Sequence, residues 1–379
     1  MNKFTYRMPM TVYFDEPVKE TLTKELKDVG DHILFAYGGG SIKKNGIYNV
    51  MTGILRGLGK TITEFSGIMP NPTYAKVQEG AKLCKENDID FILAVGGGSV
   101  FDCVKIVSLQ AKMSEDIWDA QMAHQEMPEG IPFGAVVTLA GTGSEMNNIA
   151  IITNEEKKIK GPLAGSYATF ALENVSYTLS VPMKQVVSGA FDTFSHAMET
   201  YFGKNKNVSD DLAIGIMKNT VRNMRLLTYK PEDYAVRSEL IWDSAMAENG
   251  ILKLGKVTDF QIHQIEHQLG AYTDCNHGAG LAVITPHFYD HLYLYNVSAF
   301  AKFGREVFEL EGLDVDVAQK SVEALAEFIK AMGLPTTFKE MGITDRKILR
   351  AVADTCNIMP GCAKQMSRDE IYEILLECL

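Results

Sequence analysis

The sequence predicts an α/β domain with a mainly parallel sheet over residues 1–180, followed by an all-helical domain over residues 181–379. Three observations lead to this fold class. At 379 residues the chain is long for a single hydrophobic core. Up to about residue 180, short apolar strands alternate with helices, as in proteins with a parallel sheet. Beyond Pro182, the spacing of apolar residues is helical almost throughout.

Two of the predicted strands end in glycine-rich turns. The strand His32 to Tyr37 is followed by three glycines, and the strand Phe91 to Val95 is followed by a Gly-Gly-Gly-Ser turn and a helix that carries Asp102. A strand, a glycine turn and a helix make half of a nucleotide-binding unit. Further strands are expected within Thr5 to Phe14, within Thr61 to Pro72, over Phe133 to Leu139 and within Ala168 to Pro182.

The turn Gly96 to Ser99 is the main candidate for phosphate binding. Backbone without a β-carbon can approach a pyrophosphate, and the helix that follows presents free N–H groups. The turn does not match the GxGxxG fingerprint, so a tight turn without a ligand is the alternative. Small and hydroxyl residues at Gly141 to Ser144 also suit phosphate or ribose contacts. Lys160 could add a cation to the nucleotide, and an ordinary solvated lysine is the competing interpretation.

Histidines cluster in the helical half at a spacing that suits a metal site. His263 and His267 are four residues apart, which puts both rings on one face of a helix, and His277 follows closely. Upstream, Asp192 and His196 are also four residues apart in a helical pattern. One carboxylate oxygen and three imidazole nitrogens suit zinc or ferrous iron. The alternatives are a solvated histidine-rich turn and a helix-terminal aspartate beside a satisfied histidine.

Composition and charge exclude several classes of partner. The chain has 37 Lys and Arg against 48 Asp and Glu, a net charge of −11, which argues against nucleic acid or an anionic membrane surface as the main partner. The sequence contains no signal-like apolar run at its start and no apolar stretch of about 18 residues, so a cytoplasmic protein is expected. Six scattered cysteines are expected to be reduced thiols.

Four motifs occur in one order along most of the chain. They are GGGSVFD at Gly96 to Asp102, AGTGSEMN at Ala140 to Asn147, a Pro, Ser-Gly, Asp and His pattern at Pro182 to His196, and two histidine motifs within His263 to Gly280. Together they resemble the iron-containing (metal-dependent, type III) alcohol dehydrogenase family. The segments YGGGSIKKNGIYNV and FSGIMPNP are similar to its butanol dehydrogenase branch, whose members reduce aldehydes with NADPH. The resemblance implies a Rossmann-like dinucleotide-binding domain, an all-α metal-binding domain and a metal in the cleft between them, the dehydroquinate synthase-like fold.

The resemblance also implies a metal site at named residues. The family's ligands fall on Asp192, His196, His263 and His277, the set that the spacing already suggests. A divalent metal there, Fe²⁺ or Zn²⁺, would polarise an aldehyde or lower the pKa of an alcohol during hydride transfer. His267 matches a histidine near the nicotinamide and the metal. It is a hypothesised proton relay, with a purely positioning role equally open.

For the nucleotide, the resemblance implies a set of contacts in the α/β domain. Asp102 matches an acid on the nicotinamide side, which we count as a candidate catalytic residue. Two departures from the family pattern concern nucleotide geometry, because Glu173-Asn174 replaces Asp-Pro and Leu139 replaces a frequent threonine. The implied nucleotide contacts are Gly96, Gly97, Gly98, Ser99, Asp102, Thr138, Leu139, Thr142, Ser144 and Lys160.

The choice between NADP and NAD depends on the end of the second strand. An acidic residue there would hold a ribose 2′-hydroxyl and repel a 2′-phosphate. That place contains Gly39, Gly40 and Ser41, with Lys43 and Lys44 close behind. The absence of an acid favours NADP, and NAD remains possible.

These observations predict a metal-dependent, NAD(P)H-linked alcohol dehydrogenase or aldehyde reductase. The expected substrates are short- to medium-chain primary alcohols and aldehydes, and family analogy suggests a homodimer. A polyol dehydrogenase of the glycerol or propanediol type is the nearer alternative. A dehydroquinate-synthase-type lyase would need several basic residues around a phosphorylated acid, and the helical motifs contain few. A non-catalytic binding protein with a vestigial site is the last alternative.

Overall fold

The computed structural model describes residues 1–379 and divides into two compact units. One unit is Arg7–Val181, and the other combines Met1–Tyr6 with Pro182–Leu379. The first six residues thus differ from the predicted division, because they pack with the helical unit. The backbone N–H of Asn2 donates to the Gly255 carbonyl at 3.0 Å, which ties this segment to the helical unit.

The α/β unit is built on a six-stranded, entirely parallel sheet with strand order β1-β8-β5-β4-β2-β3. This confirms the predicted α/β class. The strands of the sheet are β1 (Thr11–Phe14), β2 (His32–Tyr37), β3 (Thr61–Phe65), β4 (Phe91–Gly96), β5 (Phe133–Val137) and β8 (Phe170–Glu173), and a separate antiparallel hairpin pairs β6 (Ile149–Asn154) with β7 (Ile159–Ala164).

Both faces of this sheet are covered by apolar side chains. On β2, Leu34 and Ala36 belong to one buried cluster, while Ile33, Phe35 and Tyr37 belong to the other, as the alternation of a strand requires. Sheets of this kind bind ligands outside the carboxyl ends of their strands, so a nucleotide site is expected at that edge. The helices of this unit are α1 (Val18–Leu26), α2 (Ser41–Lys44), α3 (Ile47–Gly57), α4 (Tyr74–Glu86), α5 (Gly98–Gln110), α6 (Ile117–Met122) and α7 (Val175–Thr178).

The second unit is all-helical, as the apolar spacing predicts. Its first helix is buried along most of its length, with Phe191 and Phe194 fully enclosed, so it forms the centre of the helical core. None of the helices combines the length and apolarity that a membrane span requires. The helices are α8 (Met183–Tyr201), α9 (Val208–Leu227), α10 (Tyr234–Glu248), α11 (Gln261–Thr273), α12 (His277–Asp290), α13 (Val297–Phe308), α14 (Asp314–Ala331), α15 (Arg346–Thr355) and α16 (Arg368–Glu377).

Candidate functional site

In the helical unit, three imidazoles surround one buried carboxylate oxygen. The Nε2 atoms of His196, His263 and His277 lie 3.8, 3.5 and 3.4 Å from Oδ1 of Asp192. Asp192 and His196 stand one turn apart on α8, His263 lies on α11, and His277 is the first residue of α12. The structure therefore brings together all four of the residues that the sequence singled out as metal ligands.

The donor atoms of this cluster fit a divalent cation. Asp192 Oδ1 and His263 Nε2 are buried and have no hydrogen-bond partner, although a buried polar atom normally has one. The ligand atoms of Asp192, His196 and His263 all lie within 4.8 Å of one another. Two ligand atoms that each lie about 2.1 Å from a tetrahedral zinc ion are about 3.4 Å apart, close to the observed spacings. The cluster thus has the composition, the spacing and the unsatisfied atoms expected of a metal site.

Two glutamates orient two of these imidazoles. Glu199 on α8 is hydrogen-bonded to Nδ1 of His263 at 2.5 Å, and Glu266 on α11 is hydrogen-bonded to Nδ1 of His277. A proton fixed on Nδ1 leaves Nε2 as the free electron pair, which in both rings faces Asp192. Glu199 also accepts a hydrogen bond from the backbone N–H of Ile262, in the first turn of α11.

Sequence reasoning missed both glutamates, although their spacing carried a signal. Glu199 follows His196 by three residues, and Glu266 follows His263 by three, so each acid shares a helix face with a candidate ligand. Each glutamate, however, bonds to a histidine on another element. A reading of one helix at a time could not assign those partners.

Glycines explain how His277 reaches the cluster. A β-carbon added at Gly278 would lie 2.1 Å from the Ser188 carbonyl oxygen, so only glycine lets α12 begin this close to α8. A β-carbon at Gly280 would lie 2.9 Å from Cγ of Glu266. Asn276 caps the helix by accepting from the N–H of Ala279. The segment NHGAG is therefore a close-packed helix start that carries a histidine.

The electrostatics of the cluster prepare it for a cation. Burial lowers the pKa of His196 to about 4, so this imidazole is neutral near pH 7. Burial opposes charge on Asp192, but the neighbouring imidazoles His196 and His277 outweigh it and hold its pKa well below the ordinary value. Burial also opposes charge on His263, yet the carboxylates of Glu199 and Asp192 raise its pKa to about 10. Without a metal, protons on such imidazoles balance the buried negative charge.

His267 flanks the cluster. It lies one turn after His263 on α11, is 5% exposed, and its ring centroid is 6.0 Å from that of His263 and 5.3 Å from that of His277. Its ligand atom also lies within 4.8 Å of those of Glu266 and His277. His267 therefore lies next to the cluster, where it can take part in the chemistry of the site without being one of its four central residues.

In the α/β unit, the predicted phosphate turn packs against the residues that follow β5. The N–H of Thr138 donates to the Gly96 carbonyl at 2.8 Å. A β-carbon at Gly97 would lie 3.1 Å from Cβ of Leu139, and one at Gly98 would lie 2.1 Å from Oγ1 of Thr142. The structure brings these residues together at the carboxyl end of β4 and β5, with Ser99 in the first turn of α5.

Asp102 and Ser144 belong to a buried polar network. Asp102 accepts hydrogen bonds from the Ser144 hydroxyl at 2.5 Å and from the N–H of Ile151 at 3.0 Å. Lys105 is fully buried and donates to Ser144 at 2.7 Å. Burial raises the pKa of Asp102 despite the nearby lysine. Both oxygens of this candidate acid are thus bonded within the chain, which ties the start of α5 to the 144–151 segment.

The remaining predicted nucleotide contacts lie at two other places in this unit. Lys160 is buried on β7, opposite Thr153 of β6. Gly39 and Gly40 follow β2, and β-carbons added there would meet no atom within 4 Å. Ser41 begins α2 and is exposed.

Comparisons with known proteins cover the whole chain. Residues 9–172 match the family described as iron-containing alcohol dehydrogenase, and residues 186–379 match the C-terminal region of the Fe-containing alcohol dehydrogenase family. The chain is 34% identical to NADH-dependent butanol dehydrogenase A of Clostridium acetobutylicum, over 99% of both chains. It is 30% identical to NADPH-dependent aldehyde reductase YqhD of Escherichia coli, over 92% of this chain and 91% of that protein. The crystal structure of NADH-dependent butanol dehydrogenase A from Thermotoga maritima is similar with a TM-score of 0.94 and 33% identity, over 100% of this chain and 99% of that chain.

Proposed function

The chain belongs to the iron-containing alcohol dehydrogenase family, and from that premise we propose which substrates it takes and which residues act on them. It is an oxidoreductase, an iron-type alcohol dehydrogenase or aldehyde reductase that uses a nicotinamide cofactor and a metal. Our proposal is that it interconverts short- to medium-chain primary alcohols and aldehydes. The butanol dehydrogenases and the aldehyde reductase among its relatives support this range.

The proposed metal ligands are Asp192, His196, His263 and His277. The observation that carries this assignment is the convergence of three imidazole Nε2 atoms within 3.8 Å of one buried, unbonded carboxylate oxygen. A bound divalent ion supplies Lewis acidity toward a carbonyl or alcohol oxygen.

Around these ligands, other side chains orient and protect the site. Glu199 and Glu266 hold the ring nitrogens of His263 and His277 in the tautomer that leaves Nε2 free. His267 is proposed to exchange a proton with the substrate oxygen, because it lies one turn from His263 and beside His277. Burial of the cluster keeps bulk water away from the reacting groups.

The proposed dinucleotide site lies at the carboxyl edge of the parallel sheet. The turn Gly96 to Ser99, together with Thr138, Leu139, Thr142 and Ser144, would contact the phosphates and the sugar, since these residues meet beside the start of α5. Asp102 lies in the second turn of that helix, and Lys160 is proposed as a cation for the nucleotide. We propose NADP as the preferred cofactor, because no acid lies at Gly39 to Ser41. Relatives named for NADH and for NADPH both occur, so NAD is the alternative.

Elemental analysis coupled to a butanal assay tests this function. The protein as purified should contain close to one iron or zinc per chain and should oxidise NADPH when butanal is added. Chelation should remove the metal and the activity together, and added Fe²⁺ or Zn²⁺ should restore both. Protein stripped of metal that reduces butanal as fast as the loaded form would contradict the proposal. A preference for glycerol or 1,3-propanediol over butanol would favour the polyol alternative, and a higher kcat/KM for NADH would overturn the choice of NADP. The homodimer and the cytoplasmic location stay predictions.

A further inference from the structure

The loop Gly38 to Ser41 lies beside the glycine turn of β4. Strands β2 and β4 pair in parallel register with Tyr37 opposite Val95, and a β-carbon added at the first glycine of the loop would lie 3.8 Å from Val100 on α5. The next two glycines border open space. In Rossmann-type sheets, the adenosine ribose lies at the end of the strand next to the phosphate-binding strand. If the proposed dinucleotide site is right, this loop faces the ribose 2′ position.

A lysine just beyond the loop is held by three side chains. Glu64, on the edge strand β3, accepts hydrogen bonds from the hydroxyl of Tyr37 at 2.5 Å and from the hydroxyl of Tyr48. Nζ of Lys43 lies 3.6 Å from Oε2 of Glu64, and 4.7 and 5.4 Å from the ring centroids of Tyr48 and Tyr37. We call these four residues the Lys43 clamp.

The clamp balances the charge of Lys43. The hydrogen bonds from Tyr37 and Tyr48 lower the pKa of Glu64, so the carboxylate is ionised at neutral pH. The two phenol rings add cation–π attraction on the same ammonium group. Lys43 follows Ser41 by two residues, and its backbone N–H bonds to the Gly40 carbonyl at 3.2 Å. Lys43, the first cation after the loop in the chain, is thus already paired with Glu64.

We propose that Glu64 determines cofactor specificity by holding Lys43 and so weakening recognition of a ribose 2′-phosphate. A 2′-phosphate is a dianion that needs an unpaired cation, and it is repelled by a carboxylate. A ribose 2′-hydroxyl is uncharged, so the same arrangement weakens its binding very little. Glu64 lies on the neighbouring strand β3 and not in the loop Gly39 to Ser41, so its effect on the 2′-phosphate passes through Lys43. The inference rests on the proposed dinucleotide site. It does not depend on which cofactor the unaltered protein prefers, because it concerns how the ratio of kcat/KM for NADPH to kcat/KM for NADH changes when Glu64 is altered.

The test compares NADPH with NADH in Glu64→Gln. Glutamine keeps an oxygen that can accept from a phenol hydroxyl, and Glu64 is 42% exposed on its side chain, so the fold should tolerate the change. The kcat/KM ratio of NADPH to NADH should rise about twofold to fivefold, the range for an ion pair at a half-exposed site. The rise should come from a lower KM for NADPH, with kcat unchanged. 2′,5′-ADP should also bind more tightly to the variant by calorimetry, whereas the affinity for 5′-AMP should stay constant.

Three controls separate this effect from a structural one. Glu64→Asp keeps the charge and should leave the ratio near that of the unaltered protein. Glu79→Gln removes the same charge from an ion pair with Lys76 on α4 and should also leave the ratio unchanged. In the double variant Glu64→Gln with Lys43→Met, the gain for NADPH should disappear, because the freed cation is gone.

The outcomes distinguish the inference from the proposed function. An unaltered protein that oxidises neither NADH nor NADPH with butanal would contradict the proposed function itself. Activity with an unmoved NADPH to NADH ratio in Glu64→Gln, or an equal change in KM for both cofactors, would overturn the role of Glu64. A gain that persists without Lys43 would overturn the route through that lysine.

Discussion

His267 lies beside the candidate metal ligands, with its ring 5.3 Å from that of His277. If it exchanges a proton with the substrate oxygen, His267→Ala should lower kcat by about a hundredfold, the usual contribution of a general acid or base. Metal content measured by elemental analysis should stay at the unaltered level. His291→Ala, which removes a partly buried imidazole of the same unit, should leave both unchanged. Loss of metal in His267→Ala would make this residue a ligand and would end the relay hypothesis.

Glu199 is a buried carboxylate that bonds to His263, one of the proposed metal ligands, and is not itself one of them. Its hydrogen bond to Nδ1 of His263 sets the ring orientation and adds negative charge behind it. Glu199→Gln should therefore weaken Zn²⁺ binding by about tenfold to a hundredfold, measured by competition with a chromophoric chelator. Glu377→Gln is the matched control, because Glu377 bonds to the imidazole of His291, which is not among the proposed ligands. Equal Zn²⁺ affinity in both variants would contradict the orienting role.

At the level of single residues, the sequence predicted what depends on local spacing. Asp192 and His196 share a helix face because they are four residues apart, and so do His263 and His267. The roles of Glu199 and Glu64 were not predicted, because their partners lie on other elements. His263 is 64 residues from Glu199, and Tyr37 is 27 residues from Glu64. Pairing between distant segments depends on how the helices and strands pack, which a one-dimensional pattern does not contain.

At the level of elements, the close approach of α8 and α12 depends on one glycine. A β-carbon at Gly278 would lie 2.1 Å from the backbone oxygen of Ser188, so the two helices must move apart in Gly278→Ala. We expect a loss of roughly 1 to 3 kcal/mol in the free energy of unfolding of the helical unit, as for overpacked cores. Metal content should fall as well, because His277 begins α12.

Gly215→Ala on α9 provides the matched control for this prediction. A β-carbon there would meet no atom within 4 Å, so alanine should be neutral or should stabilise the helix by roughly 0.5 to 1 kcal/mol. Urea unfolding of both variants in a Trp118→Phe background, followed by Trp242 fluorescence, measures the difference for the helical unit. Similar stability and metal content in the two variants would contradict a special role for Gly278.

The predicted elements were most accurate where the apolar pattern was long. The parallel strands and the long helices α8, α9 and α14 follow from continuous apolar runs or helical spacing. The hairpin of β6 and β7 was missed, because its turn Glu155 to Lys158 is highly charged and its strands alternate weakly. In the hairpin, the N–H of Ile151 donates to Asp102 on α5. The hairpin thus depends on a tertiary contact, which the local sequence pattern does not contain.

At the level of the whole molecule, each unit has its own core and its own tryptophan. Trp118 lies buried in the α/β unit, and Trp242 lies partly exposed in the helical unit. Two such units need not unfold together, so a single free energy of unfolding is not defined for the chain. In a Trp242→Phe background, Trp118 is the only tryptophan, and its fluorescence reports the α/β unit alone.

The α/β unit should lose stability as the pH rises, because it contains two buried glutamates close to each other. Burial raises the pKa of Glu145 to about 7, and burial together with the charge of Glu145 raises that of Glu173 well above its ordinary value. Neither oxygen of Glu173 has a hydrogen-bond partner. The folded unit thus holds protons that the unfolded chain releases near pH 4.5. This contribution is fully present below that pH and is lost as the pH rises through about 7.

Glu145→Gln tests this linkage, because glutamine stays neutral at every pH. Between pH 5.5 and 8, the free energy of unfolding of the α/β unit should fall by roughly 2 kcal/mol more in the unaltered protein than in Glu145→Gln. Urea titrations followed by Trp118 fluorescence at the two pH values give this difference. Glu156→Gln, an exposed change in the turn of the hairpin, should follow the unaltered protein. If the free energy of unfolding changed equally with pH in the unaltered protein and in Glu145→Gln, Glu145 and Glu173 would not be protonated in the folded state. Their buried negative charge would then need a cation or a contact with water to stabilise it.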